Sequence, residues 1–190
     1  MNVFIFHGTM GSPEGNWFPW LERELKKLGV EVFVPRFPTP EGQSLESWLK
    51  VLEPYRHKIN SDTILVGHSM GPAFIFRILE QWKISIKAAI LAAPFDDILG
   101  IPDFDKLIKT FIDKPFDYEK VKKLCGKVIV FAGDNDPYIS KEQTIRIAKN
   151  LGVEINWIKG GKHLNKDTAG YTQFPEVLAA CSKSGAVPWK

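Results

Sequence analysis

Six short apolar runs recur along the chain, and helical patterns separate them. The runs are Val3 to Phe6, Val32 to Pro35, Thr63 to Val66, Lys87 to Ala92, Lys127 to Phe131 and Glu154 to Ile158. Strands this continuously apolar need cover on both faces, which a parallel sheet flanked by helices provides. Alternation of strand and helix therefore predicts an α/β fold. A chain of 190 residues suits one such domain, 1–190, because a second complete core would need more chain.

The intervening helices follow from apolar spacing and end signals. Leu21, Leu25 and Leu28 share a face of a helix that starts near Trp17 and stops at Gly29. Trp48, Leu49 and Leu52 form a second stripe behind the N-cap Ser44. Pro72 falls in the first turn of a helix through Phe76 and Leu79, where its missing N–H costs nothing. Ser140 and Gln143 are spaced as a capping box before Ile145 and Ala148, and a last helix is predicted from about Thr172 to Cys181. From Pro94 to Leu124 two short helices are predicted around Pro115. They either cover one face of the sheet or roof a pocket as a small lid.

Composition narrows the function classes. A 44% hydrophobic share excludes disorder, and 15 Gly and 13 Pro without period exclude a fibrous chain. The net charge of +3 is dispersed, with no run of five or six basic residues, so nucleic acid is not an expected partner. No apolar stretch approaches the ~18–20 residues of a membrane span, and the first residues lack signal-peptide regions, so a cytoplasmic protein without a membrane partner is expected. Cys125 and Cys181 fit neither a disulfide framework nor a metal site, and no H-E-x-x-H or nucleotide-binding glycine motif occurs. Neither metal nor cofactor is implied. Oligomeric state is left open, and a monomer is compatible with the sequence.

Gly67-His68-Ser69-Met70-Gly71 lies between a strand and a helix. It has the G-x-S-x-G pattern of a nucleophile elbow, where a strained turn lifts the serine above the C-terminal sheet edge and only small neighbours avoid a clash. A serine hydroxyl needs a base, and the base needs an orienting group. Of the four histidines, His57 reads as a surface residue, His68 as packed beside the elbow, and His7 as shaping the loop after the first strand. His163, in the loop after the last strand, is the expected base. The acid should fall between Ser69 and His163 in chain order. Asp136 is favoured because Pro137 holds it extended, and Asp134 is the alternative, as a residue that caps backbone N–H groups. Asp96 and Asp97 are weaker candidates with a simple turn role. The N–H groups of Thr9 and Met70 are the expected oxyanion donors, and Trp17, Trp20 and Phe95 are candidates to line the acyl pocket or to pack in the core.

The chain resembles the α/β-hydrolases, and more narrowly the small serine hydrolase family of the YdeN and retinoblastoma-binding protein 9 type. The resemblance rests on His7-Gly8, Gly11 to Trp20, Gly67-His68-Ser69-Met70-Gly71, Asp136-Pro137 and Gly161-Lys162-His163. It implies a three-layer sandwich with a six-stranded, mostly parallel sheet in the order 2-1-3-4-5-6, helices on both faces and no large cap. It also implies Ser69, Asp136 and His163 as a triad. The L-x-C-x-E motif associated with retinoblastoma binding is missing, since Leu124-Cys125-Gly126 departs from it, so that partner does not carry over. The expected activity is carboxylesterase-like hydrolysis of a small-molecule ester or related acyl substrate through an acyl-enzyme. The alternatives are a peptidase or thioesterase with the same triad, or a non-catalytic binding module on a hydrolase fold.

Overall fold

The computed structural model describes residues 1–186. Its strands are β1 (Asn2–Phe6), β2 (Glu31–Phe33), β3 (Thr63–His68), β4 (Ala88–Ala92), β5 (Val128–Gly133) and β6 (Ile155–Ile158). They form one sheet in the order β2-β1-β3-β4-β5-β6, and every pairing is parallel. β1, β3 and β4 are buried along their whole length, which explains their unbroken apolar sequences. β2 ends before Pro35, whose missing N–H cannot extend a ladder. β3 and β5 run further than their apolar residues suggest, reaching His68 and Gly133. Both extensions deliver the chain directly into the loops that carry the candidate chemistry.

The helices are α1 (Phe18–Lys27), α2 (Leu45–Leu52), α3 (Met70–Trp82), α4 (Pro102–Ile112), α5 (Tyr118–Leu124), α6 (Lys141–Leu151), α7 (Lys166–Ala169) and α8 (Pro175–Cys181). Ser44 caps α2 in a complete capping box with Ser47. At α6 only half of the expected box forms. Ser140 accepts from the Gln143 N–H, but the Gln143 amide donates to the Ile98 carbonyl instead of returning to Ser140. α8 begins at Pro175, later than its apolar pattern suggests, because proline favours the first helical position.

The stretch from Pro94 to Leu124 is built into the body of the domain. Ile108, Phe111 and Val121 are buried in the core. Arg77 of α3, its side chain 7% exposed, reaches across to this segment. Its guanidinium donates to the Phe111 carbonyl at 2.8 Å and to the Lys114 carbonyl, and it lies 4.1 Å over the Phe116 ring. Trp17, just before α1, packs against Phe18 and against Phe174 beside α8, while Phe37, Trp48, Phe74 and Phe111 interlock around α2, α3 and α4.

Pairing of Phe6 with Gly67 and of His68 with Ala92 aligns the C-terminal ends of β1, β3 and β4. Sites in open α/β sheets form outside these strand ends.

Candidate active site

Ser69 follows β3 with φ 59° and ψ −106°, in the left-handed half of backbone space, which costs a non-glycine residue of order 1–3 kcal/mol. Its N–H donates to the Ala92 carbonyl at 2.9 Å, so the sheet itself holds the strained turn. A Cβ on Gly67 would lie 2.6 Å from the Gly71 carbonyl carbon, and one on Gly71 would lie 2.7 Å from the Phe6 carbonyl oxygen. Glycine at both positions is therefore a condition for bringing Ser69 over the sheet edge.

The loop after β6 carries His163 to this point. Ser69 Oγ lies 3.0 Å from His163 Nε2, and His163 Nδ1 lies 2.8 Å from Asp136 Oδ2. A carboxylate only accepts, so the shared proton sits on Nδ1 and leaves Nε2 to accept from the Ser69 hydroxyl. The other Asp136 oxygen accepts from the N–H groups of Tyr138 at 2.9 Å and Ile139 at 3.1 Å, which fixes the carboxylate. Asp134 serves a different part of the same loop: its Oδ1 accepts from the Gly160 N–H at 2.7 Å. Asn135, a residue that no local motif marks, accepts from the Lys162 N–H at 2.9 Å. Three successive side chains after β5 thus hold the loop backbone twice and the imidazole once.

The loop after β1 is built around His7. Its Nε2 accepts from the Phe37 N–H at 3.0 Å, so Nδ1 carries the proton and donates to the Gly8 carbonyl at 2.9 Å. The Gly11 N–H donates to the same carbonyl at 3.1 Å. In the trans peptide that follows, the N–H points opposite to the carbonyl. The Thr9 N–H is therefore turned away from His7, and it has no partner among the described residues. The Met10 N–H is already taken by Thr39 Oγ1 at 2.7 Å. Met70 opens α3, where a first-turn N–H lacks an intrahelical acceptor. Gln43, which sequence reasoning missed, ties this loop to α4 by donating to Thr9 Oγ1 at 2.9 Å and to the Leu107 carbonyl at 3.0 Å.

A cavity of about 300 Å³ opens over Ser69 and His163. Phe95, Leu99, Phe104, Ile108 and Tyr138 make its apolar part, while Ser12, Asn16, Asn165 and Lys166 contribute polar groups. Of the three aromatic candidates for the pocket, Phe95 lines it and the two tryptophans do not. Trp17 is fully buried and donates from Nε1 to the Leu164 carbonyl at 2.9 Å. Trp20 packs on the core. Asp96 accepts from Arg146 and from the Tyr118 hydroxyl, at 2.9 Å for the latter, which anchors the segment that carries Phe95 and Leu99.

Burial sets the protonation of the neighbouring groups. It pushes the imidazolium of His68 down to about 3 and lowers that of His7, so both are neutral near pH 7. It also pushes the thiols of Cys125 and Cys181 up to about 12, so neither is a thiolate nucleophile at that pH. No group of three or more His, Cys, Asp or Glu side chains arranged to hold a metal ion occurs among the described residues.

The chain is 30% identical over 177 residues to YdeN of Bacillus subtilis (strain 168), covering 92% of this chain and 91% of that one. It is 25% identical over 163 residues to Serine hydrolase RBBP9 of Rattus norvegicus, covering 85% and 82%. The crystal structure of the B. subtilis ydeN gene product superposes with a TM-score of 0.89 at 28% identity, covering 96% and 97%. The serine hydrolase family model matches residues 3–183, and the chain belongs to that family of α/β-hydrolase fold.

Proposed function

We propose that the protein is a carboxylesterase-like serine hydrolase that cleaves a small ester or related acyl compound through an acyl-enzyme on Ser69. The observation that carries this reading is the unbroken chain from Ser69 Oγ through His163 to Asp136, with bonds of 3.0 and 2.8 Å. His163 Nε2 takes the Ser69 proton as Oγ attacks the acyl carbon, and Asp136 stabilises the imidazolium that forms. The Thr9 and Met70 N–H groups, without other acceptors among the described residues, receive the oxyanion. His163 then returns the proton to the departing alcohol, and water repeats the sequence to release the acid. The apolar side chains of the cavity suit an acyl group of modest size, since about 300 Å³ is at the lower end of ligand pockets.

The test combines fluorophosphonate labelling with a panel of p-nitrophenyl esters, acyl thioesters and aminoacyl amides, with Ser69→Ala as control. Labelling and ester turnover that both vanish in Ser69→Ala support the reading. Preference for amides or thioesters replaces the esterase reading with a peptidase or thioesterase. Unlabelled native protein makes it a binding module.

A further inference from the structure

His163 sits in a strained loop. Its neighbours Lys162 and Leu164 both have positive φ, 46° and 53°, although neither is glycine. Such conformations persist only where the surroundings impose them. Asp134 and Asn135 hold the loop before His163, and two buried side chains hold the carbonyls of His163 and Leu164. His68 Nε2 lies 2.8 Å from the His163 carbonyl oxygen, and Trp17 Nε1–H donates to the next carbonyl, that of Leu164. A carbonyl only accepts, so the His68 proton resides on Nε2.

The His68 ring has little freedom. Trp17 meets it edge-on at 6.1 Å between centroids, Phe18 lies at 6.0 Å, and the His163 ring stands at 5.0 Å. The backbone of His68 belongs to β3, paired with Ala92, and the next residue is Ser69. One rigid residue therefore joins the strand that carries the hydroxyl to the loop that carries the imidazole.

We propose that His68 is a positioning residue for His163, its Nε2–H bond to the His163 carbonyl fixing the distance between Ser69 Oγ and His163 Nε2, with Trp17 as the second tether. The inference rests on the hydrolase reading above. Burial keeps His68 neutral beside His163, Asp136 and His7, so the donor persists across the pH range in which a neutral His163 is needed. Loss of the donor frees the His163 carbonyl and relaxes the two strained residues, and displacement of a catalytic group by about 1 Å costs up to ~100-fold in rate.

The experiment uses the full chain with the p-nitrophenyl ester that it turns over best. His68→Met removes the donor at similar volume, and His68→Gln retains an N–H at comparable reach. The expected result is a ~10–100-fold fall in kcat and in fluorophosphonate labelling rate for His68→Met, with KM within about threefold, and substantial recovery in His68→Gln. Equal losses in both variants that track their melting temperatures would overturn the proposal, as would wild-type kcat in His68→Met. If His68→Met does not fold, Trp17→Phe and nitrogen-15 NMR of the wild type decide. A lowered kcat in Trp17→Phe and a non-titrating Nε2–H tautomer of His68 between pH 5 and 8 support the tether, and an Nδ1–H tautomer or wild-type kcat overturns it. Failure of the wild type itself to label or turn over strikes the hydrolase reading instead, while the NMR tautomer still reports on the tether.

Discussion

Asp136 and His163 are 27 positions apart in the chain and 2.8 Å apart at the carboxylate and imidazole. Asp134, only two positions before Asp136, reaches the Gly160 N–H and not the ring. The two aspartates should therefore respond differently to the same change. Asp136→Asn no longer holds the Nδ1 proton and is expected to lower kcat by roughly 10³–10⁴-fold. Asp134→Asn keeps an oxygen acceptor for Gly160 and should stay within about tenfold of wild type. Steady-state kinetics on both variants checks this, and comparable losses would count against Asp136 as the orienting acid.

A Cβ on Gly8 would lie 2.7 Å from Ser69 Cβ and 3.1 Å from its Oγ. Gly8→Ala is expected to push the β1–α1 loop off the nucleophile and reduce kcat/KM by about 100-fold or more. The readout is labelling rate against melting temperature. A drop in activity no larger than the stability loss explains would show that the approach of Gly8 to Ser69 is irrelevant to chemistry.

Acid should destabilise the fold through its buried histidines. Burial holds His68 down to about 3 and lowers His7, whereas the unfolded chain's imidazoles titrate near about 6.5. The folded state then binds fewer protons than the unfolded one, so this contribution is complete above that value and is lost as pH falls from it toward about 3. The loss amounts to a few kcal/mol at most in order of magnitude. Urea midpoints at pH 7.5 and 5.0 measure it, and His68→Met should flatten the difference. A midpoint unchanged between those pH values in the wild type would contradict the assignment.

Arg77→Met leaves the Phe111 and Lys114 carbonyls without their donor and Glu80 without its ion-pair partner. A loss of about 3 kcal/mol or more is expected from urea denaturation. A loss under about 1 kcal/mol would mean that the α4–α5 connection is held by its apolar contacts alone.

Phe104 projects from α4 into the apolar part of the cavity. Phe104→Ala should enlarge the pocket and raise kcat/KM for octanoyl over butyryl esters by about threefold or more relative to wild type. An unaltered chain-length profile would place the acyl group elsewhere.

The sheet and the elbow were legible in the sequence because their causes are local. Apolar runs covered on both faces need no partner to be recognised, and Gly67 and Gly71 mark the turn through the space their neighbours deny a side chain. His163 could be singled out because three other histidines had plausible structural roles. The pocket was not legible in the same way. Trp17 and Phe95 are both aromatic and both near the strand ends, yet one is sealed in the core as a hydrogen-bond donor and the other faces the cavity.

An α/β domain and an elbow serine can be read from the order of residues alone, since hydrophobic periodicity and steric exclusion act over a few residues. The fold supplies the contacts themselves, bringing Asp136 to His163 Nδ1 and His68 Nε2 to the His163 carbonyl. Pro137 favours Asp136 over Asp134 in the sequence, and the arrival of the β6–α7 loop gives each its partner, His163 Nδ1 for Asp136 and the Gly160 N–H for Asp134. His68 gains its partner from a carbonyl 95 positions away. Hydrogen bonds between distant segments depend on how strands align in space, and no pattern of neighbouring residues encodes that.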